Sequence, residues 1–199
     1  MTTKTNKVTM LCGIDEAGRG CVAGSLFMAA VILPSDCIAD FALLGIKDSK
    51  KLSFAMRNEI AQKIMTYLNL HRGFYKIIQY DAKQIDSLGL KHCLKESLQE
   101  LYHFAIQKDS HSIIFDGNTN FGITNVSTLI KGDSLNILIG AASILAKFSK
   151  DKEMLTLHEI VPQYDFKNNK GYLTKTHKQR ILKFGYCDFH RKSYRISFE

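Results

Sequence analysis

Two apolar, β-prone runs near the start of the chain, residues 8–14 and 26–33, are separated by little more than a glycine-dense turn, Gly18-Arg19-Gly20-Cys21-Val22-Ala23-Gly24. A connection that short joins neighbouring antiparallel strands; a parallel pair needs a crossover of about a dozen residues or more. The chain therefore opens on an antiparallel strand pair, and residues 73–80 supply a third strand candidate. Elsewhere the apolar spacing changes to that of helices. Ser53 is placed to cap a helix carrying Met56, Ile60, Ile64 and Leu68 on one face, and Leu90, Leu94, Leu98, Leu101 and Ala105 form a second such stripe. Short β-prone runs follow at 112–115 and 126–130, then residues 137–148, apolar nearly all round, which predict a buried helix. From about Asp151 the chain reads as short helices joined by polar turns. This order predicts an α/β fold: a mixed β-sheet flanked by helices, with a C-terminal helical extension. The expected division is residues 1–150 as the main domain and 151–199 as a basic helical region packed on it.

Three of the β-like runs end beside an aspartate: 8–14 at Asp15, 112–115 at Asp116, and 126–130 at Lys131-Gly132-Asp133. Adjacent parallel strands gather their C-terminal ends along one sheet edge, where open α/β sheets bind ligands. With Glu16, four carboxylates would meet there. Their mutual repulsion is relieved by divalent cations, and hard oxygen donors suit Mg²⁺ or Mn²⁺. Taken singly, each acid reads as well as a turn former or helix cap, Asp116-Gly117 and Asp133 especially. Asp15 and Glu16 also raise a geometric condition. Neighbours in a strand point to opposite faces, so the two share a site only if the strand breaks there.

The net charge of +8 is unevenly spread, since residues 147–199 carry +6 and the first 146 only +2. A basic last quarter on a near-neutral body fits a surface for a polyanion, although on charge alone a plain solvated surface fits equally. Lys147, Lys170, Lys175, His177, Lys178, Arg180, Arg191 and Lys192 are the candidates to follow a phosphate backbone, with a second small basic cluster at Lys47 and Ser49-Lys50-Lys51. Tyr172, in Asn168-Asn169-Lys170-Gly171-Tyr172, can stack on a sugar or base, or simply pack. In Gly18-Arg19-Gly20 the missing side chains let backbone amides and carbonyls approach a ribose 2′-OH, and Arg19 can meet a phosphate; a tight turn is the plainer alternative. The five cysteines form neither a CxxC pair nor a zinc spacing, which predicts free thiols in a reducing compartment. With no apolar run long enough for a bilayer and a polar N-terminus, a cytoplasmic protein with no membrane partner is expected.

Taken together, these segments resemble the bacterial ribonuclease HII family. Gly13-Ile14-Asp15-Glu16-Ala17-Gly18-Arg19-Gly20 resembles its opening signature, and Asp48-Ser49-Lys50-Lys51-Leu52-Ser53 its lysine-rich segment. Phe115-Asp116-Gly117-Asn118 is similar to the setting of its third acid. Lys131-Gly132-Asp133 with Ala141-Ala142-Ser143-Ile144-Leu145-Ala146-Lys147 is similar to that of the fourth. Asn169-Lys170-Gly171-Tyr172, His177 and His190-Arg191 match its C-terminal region. The resemblance spans roughly residues 8 to 195. It implies a ribonuclease H-like fold with an added C-terminal helical region; a monomer is expected. It also implies Asp15, Glu16, Asp116 and Asp133 as catalytic acids holding two Mg²⁺ or Mn²⁺ ions once substrate is bound. Gly18, Arg19, Gly20 and Tyr172 would read the 2′-OH at a ribo–deoxyribo junction, and Lys47, Lys147, Lys170, His177 and Arg191 would help bind substrate. The implied reaction is endonucleolytic hydrolysis of the RNA strand of RNA–DNA hybrids, with cutting 5′ of single ribonucleotides in duplex DNA, leaving 5′-phosphate and 3′-hydroxyl ends. Three residues depart from the pattern: Cys21 and Ser25 stand where proline is usual, and Leu173 where glycine is usual. Two rivals remain on the residues alone: a non-catalytic nucleic-acid-binding protein, for which the basic tail would suffice, and a different two-metal nuclease such as a DNA junction resolvase.

Overall fold

The computed structural model of the chain describes residues 8–46 and 52–197. Its centre is one five-stranded sheet in the order β3-β2-β1-β4-β5. Strands β1 (Met10–Ala17) and β2 (Leu26–Pro34) pair antiparallel, as do β2 and β3 (Phe74–Tyr80). On the other side of β1 the pairing turns parallel, first with β4 (Ser110–Asp116) and then between β4 and β5 (Ser127–Leu129). The sheet is mixed, as the order of apolar runs predicted.

Both faces are covered. Helix α1 (Ile38–Ala42) follows β2, and α2 (Phe54–Leu70) precedes β3; α3 (Ala82–Leu88) and α4 (Leu90–Gln107) lie between β3 and β4. Cys12 and Ile14 of β1 and Met28, Ala30 and Ile32 of β2 pack with Leu94, Leu98, Leu101 and Ala105 of α4. The alternate residues of β2, Phe27, Ala29, Val31 and Leu33, pack on the opposite face with Ile60, Ile64 and Leu68 of α2 and with α6 (Ile137–Ile160). All nine residues of β2 are buried, which is why its sequence is continuously apolar rather than alternating. Ser53 caps α2 by accepting the Met56 N–H, as expected, while Met56 itself stays outside the buried stripe.

Helix α6 differs from its sequence reading. It continues well beyond residue 148 to Ile160 and passes residue 150 without interruption. Its first half is buried on the sheet because that face is apolar; its second half stays ordered because Met154 and Leu157 pack with Ala23, Tyr164 and Phe166 in a separate small core. The short helices α5 (Gly132–Leu135), α7 (Phe166–Asn169) and α8 (Lys175–Phe184) complete the fold.

Candidate metal centre and nucleic-acid interface

The closeness of α6 to β1 begins with a glycine. A Cβ on Gly13 would lie 2.3 Å from the Ile139 amide nitrogen and 2.4 Å from the Leu138 carbonyl carbon, so only glycine lets the helix settle against the strand here. Asn136 caps that helix by accepting the Leu138 and Ile139 N–H groups, which leaves Asp133 uncommitted to the cap. Parallel pairing of Ile14 with Phe115 brings the C-terminal ends of β1 and β4 side by side, placing Asp15 and Asp116 at one sheet edge. Asp133, in the first turn of α5, is drawn to the same edge because the Gly132 N–H donates to Asp116 Oδ1 at 3.0 Å.

Asp15, Asp116 and Asp133 consequently each present a carboxylate oxygen within 4.8 Å of the others. Glu16 stands outside this trio. Strand β1 does not break at Asp15 but pairs with β2 as far as Ala17, so Glu16 points to the α4 face while Asp15 points toward α6. The condition set by the sequence is met differently: Glu16 lies past the last β1–β4 pair, where β4 no longer covers β1, and still lines the same cleft. That cleft has a volume of about 640 Å³.

Electrostatics single out Asp15 and Glu16. Burial, opposed by Lys147 and Ser143 and reinforced by Asp116, raises Asp15 to a pKa of about 6. Burial and then the charge of Asp15 push Glu16 up to about 7, with Arg19 working in the opposite direction. Glu16 Oε2 is buried with no hydrogen-bond partner, while Arg19 approaches Oε1 at 3.8 Å. Lys147 Nζ sits 3.9 Å from Asp15 Oδ2 and hydrogen-bonds Ser143. An all-oxygen donor set, one orphaned buried carboxylate oxygen, and Asp15 and Glu16 driven toward protonation first by burial and then by neighbouring acids together fit hard divalent cations.

The glycine turn and Tyr172 line the same cleft. Gly18 has φ +91°, and a Cβ there would lie 2.5 Å from the Ser25 carbonyl oxygen; Gly20 has no atom within 4 Å of that position, so its backbone faces open space. Tyr172 is half exposed, with Lys150 Nζ 4.8 Å from its ring centre. Burial and the neighbouring Cys21 thiol push its hydroxyl up to about 12, so it remains protonated and able to donate. Lys170 lines the cleft, its pKa lowered by burial.

Other substrate-binding expectations land elsewhere. His177 and Arg191 are wholly buried and touch no solvent, so the expectation that they contact substrate is corrected. The cause is that the C-terminal segment folds back on the glycine turn, with the Arg191 N–H donating to Val22 O and the Gly24 N–H to Phe189 O. Lys175, Lys178, Arg180 and Lys192 do not line the cleft; Arg180 pairs with Asp165 and Lys192 with Asp188. Lys47, with Ser49-Lys50-Lys51, lies outside the described residues. Sequence reasoning passed over Arg57, Lys150 and Asp151, which form a buried ionic group in the cleft wall. Lys150 and Asp151 follow Lys147 by three and four positions, a spacing that marks one helix face once α6 is known to run on.

The sequence matches the family described as Ribonuclease HII over residues 12–199. Relatives named Ribonuclease HII include one from Sulfurovum sp. (strain NBC37-1), 41% identical, the alignment covering 96% of this chain and 94% of that protein. A second, from Helicobacter pylori, is 44% identical, covering 95% and 90% respectively. Among solved structures, the ribonuclease HII in a complex with PCNA from Archaeoglobus fulgidus superposes with a TM-score of 0.72 at 27% identity, covering 91% of each chain. The ribonuclease H2 of Pyrococcus horikoshii OT3 shares the fold at a TM-score of 0.73 and 22% identity, covering 94% of each chain. With a family match over nearly its whole length and relatives above 40% identity, the chain belongs to the ribonuclease HII family of RNase H-type endonucleases.

Proposed function

We propose that the protein hydrolyses the RNA strand of RNA–DNA hybrids and cuts on the 5′ side of single ribonucleotides in duplex DNA, leaving 5′-phosphate and 3′-hydroxyl ends. The observation that carries this reading is the convergence of Asp15, Asp116 and Asp133 within 4.8 Å, in a cleft that the glycine turn and Tyr172 also line. Asp15, Glu16, Asp116 and Asp133 would hold Mg²⁺ or Mn²⁺, two ions with substrate bound, which supply an activated water and neutralise charge on the phosphate.

The chain's own groups account for the rest. Lys147 partly offsets the burial that pushes Asp15 toward protonation. The open backbone at Gly20 accepts or donates at a ribose 2′-OH, and Tyr172 stacks on the neighbouring sugar with its hydroxyl still protonated. Arg19 and Lys170, both lining the cleft, meet phosphates. The work divides between residues 1–150, which bear the acids and the glycine turn, and residues 151–199, which bear Lys170 and Tyr172. We also read the protein as a cytoplasmic monomer, where its unpaired cysteines would stay reduced. None of the described helices is long and apolar enough to cross a membrane.

The test is a duplex DNA carrying one ribonucleotide, incubated with Mg²⁺ or Mn²⁺ beside an all-DNA duplex. Cutting only the first supports the proposal. An intact first substrate at saturating enzyme refutes it, and cutting of the all-DNA duplex would point to a junction resolvase-like activity instead.

A further inference from the structure

His177, removed above from the substrate contacts, and His190 form a buried pair whose protonation follows from their neighbours. At one end, His190 Nδ1 lies 3.0 Å from the Cys187 backbone nitrogen, whose N–H can only donate, and 3.0 Å from Cys187 Sγ, whose S–H can donate there as well. Nδ1 must therefore be bare, which puts the proton of a neutral ring on Nε2. At the other end, His177 Nδ1 lies 2.8 Å from the Tyr172 carbonyl oxygen, which can only accept. That nitrogen must carry the proton, leaving His177 Nε2 bare. The two Nε2 atoms are 3.0 Å apart, and the two independent assignments meet there as one donor facing one acceptor. A proton added to either ring would set two N–H groups against each other. Both rings are wholly buried among Tyr164, Phe166 and Tyr186, and burial lowers the pKa of each.

The next residue along extends this chain to the glycine turn. Arg191 Nε donates to Gly24 O at 3.0 Å, and Nη1 to Arg19 O at 3.3 Å and to Tyr194 Oη at 2.9 Å. Tyr194 Oη in turn donates to Arg19 O at 3.1 Å. One short C-terminal segment thus grips the backbone of the glycine turn at Arg19 and, through two imidazoles, the backbone of Tyr172.

We propose that His177, His190 and Arg191 are positioning residues for ribonucleotide recognition: a buried hydrogen-bonded chain that fixes Tyr172 relative to the Gly18-Arg19-Gly20 turn without touching substrate. This rests on reading Tyr172 and the turn as the two reporters of the 2′-OH junction.

Three variants separate that role from simple support of the fold. In His177→Asn the amide nitrogen can occupy the place of Nδ1 and still donate to the Tyr172 carbonyl; in His177→Ala nothing can, while both lose the second ring nitrogen and leave a cavity. Tyr172→Ala is the reference. The readout is the ratio of kcat/KM on a single-ribonucleotide duplex to kcat/KM on a long RNA–DNA hybrid. His177→Ala should lower this ratio roughly tenfold or more, the scale expected for a misplacement approaching 1 Å, and His177→Asn should recover most of it. Equal loss on both substrates in His177→Ala, or no difference between the Ala and Asn variants, overturns the proposal. If Tyr172→Ala itself leaves the ratio unchanged, the reading of Tyr172 fails first and takes the chain's role with it. Isotope-labelled wild-type protein gives a check that does not depend on variant folding. Nitrogen spectra should show His177 protonated on Nδ1, His190 on Nε2, and a coupling between the two Nε2 nuclei; any other tautomer pair refutes the chain.

Discussion

Glu16→Gln should make the metal-free protein more stable at neutral and alkaline pH while abolishing cleavage. Glu16 is raised from an ordinary 4.5 to about 7, first by burial and then by the charge of Asp15. A group whose folded pKa lies above its unfolded one binds its proton more tightly in the native state. It therefore costs no stability below about pH 4.5, where both states are protonated, and costs progressively more as pH climbs toward 7. The full displacement, at 1.36 kcal/mol per pH unit, comes to about 3 kcal/mol above pH 7. Glutamine removes that cost but forfeits the contact with Arg19, whose side chain is 59% exposed, so about 0–1 kcal/mol is subtracted. The net gain is about 2 kcal/mol, equivalent to roughly 4–8 °C in Tm for a chain of this size. Thermal melts of both proteins in chelator from pH 4.5 to 8 measure it. The gap should open with rising pH and narrow when Mn²⁺ is added, since the ion relieves the wild-type carboxylate alone. A Glu16→Gln protein no more stable than wild type at pH 8 in chelator, or a gap independent of pH, would refute the account of this acid as buried and only weakly compensated when charged.

Other outcomes follow from contacts already described. Asp133→Asn should abolish cutting with Mg²⁺ or Mn²⁺ yet leave duplex affinity within a few-fold in a gel-shift assay, because the lost group holds ions rather than backbone. Gly13→Ala drives a Cβ to 2.3 Å from the Ile139 amide and should destabilise by about 3 kcal/mol in urea denaturation. Gly20→Ala meets no atom within 4 Å and should unfold within about 0.5 kcal/mol of wild type, while losing single-ribonucleotide cleavage. Arg57→Ala strips a partner from buried Asp151 and should cost about 3 kcal/mol by the same denaturation assay.

The strand–helix order and the three aspartates were legible because each leaves a local mark: an apolar run, a helical stripe, an acid where the run stops. Glu16 was legible as an acid but not as the odd one out, since its place depends on β1 staying paired with β2 after β4 has ended. The length of α6 was hidden because its second half is polar outside and is held by Met154 and Leu157 packing on residues distant in sequence. Charge misled at His177 and Arg191. A basic residue near the C-terminus reads as surface until the segment is seen to fold back on Val22 and Gly24, where backbone carbonyls replace water. Arg57, Lys150 and Asp151 carried no signal of their own, because their meaning comes only from facing one another across two helices.

Helix α6 has a consequence for how the cleft measures what enters it. Lys147, against Asp15, and Lys150, against Tyr172, stand three residues apart on one unbroken helix, about 4.5 Å along its axis. The acid side and the tyrosine side are thus tied to the same rod, and no joint lies between them. On the function proposed above, a ribonucleotide would meet the acid side and the tyrosine side at a spacing that this one helix sets, so that part of the fit is organised before it arrives.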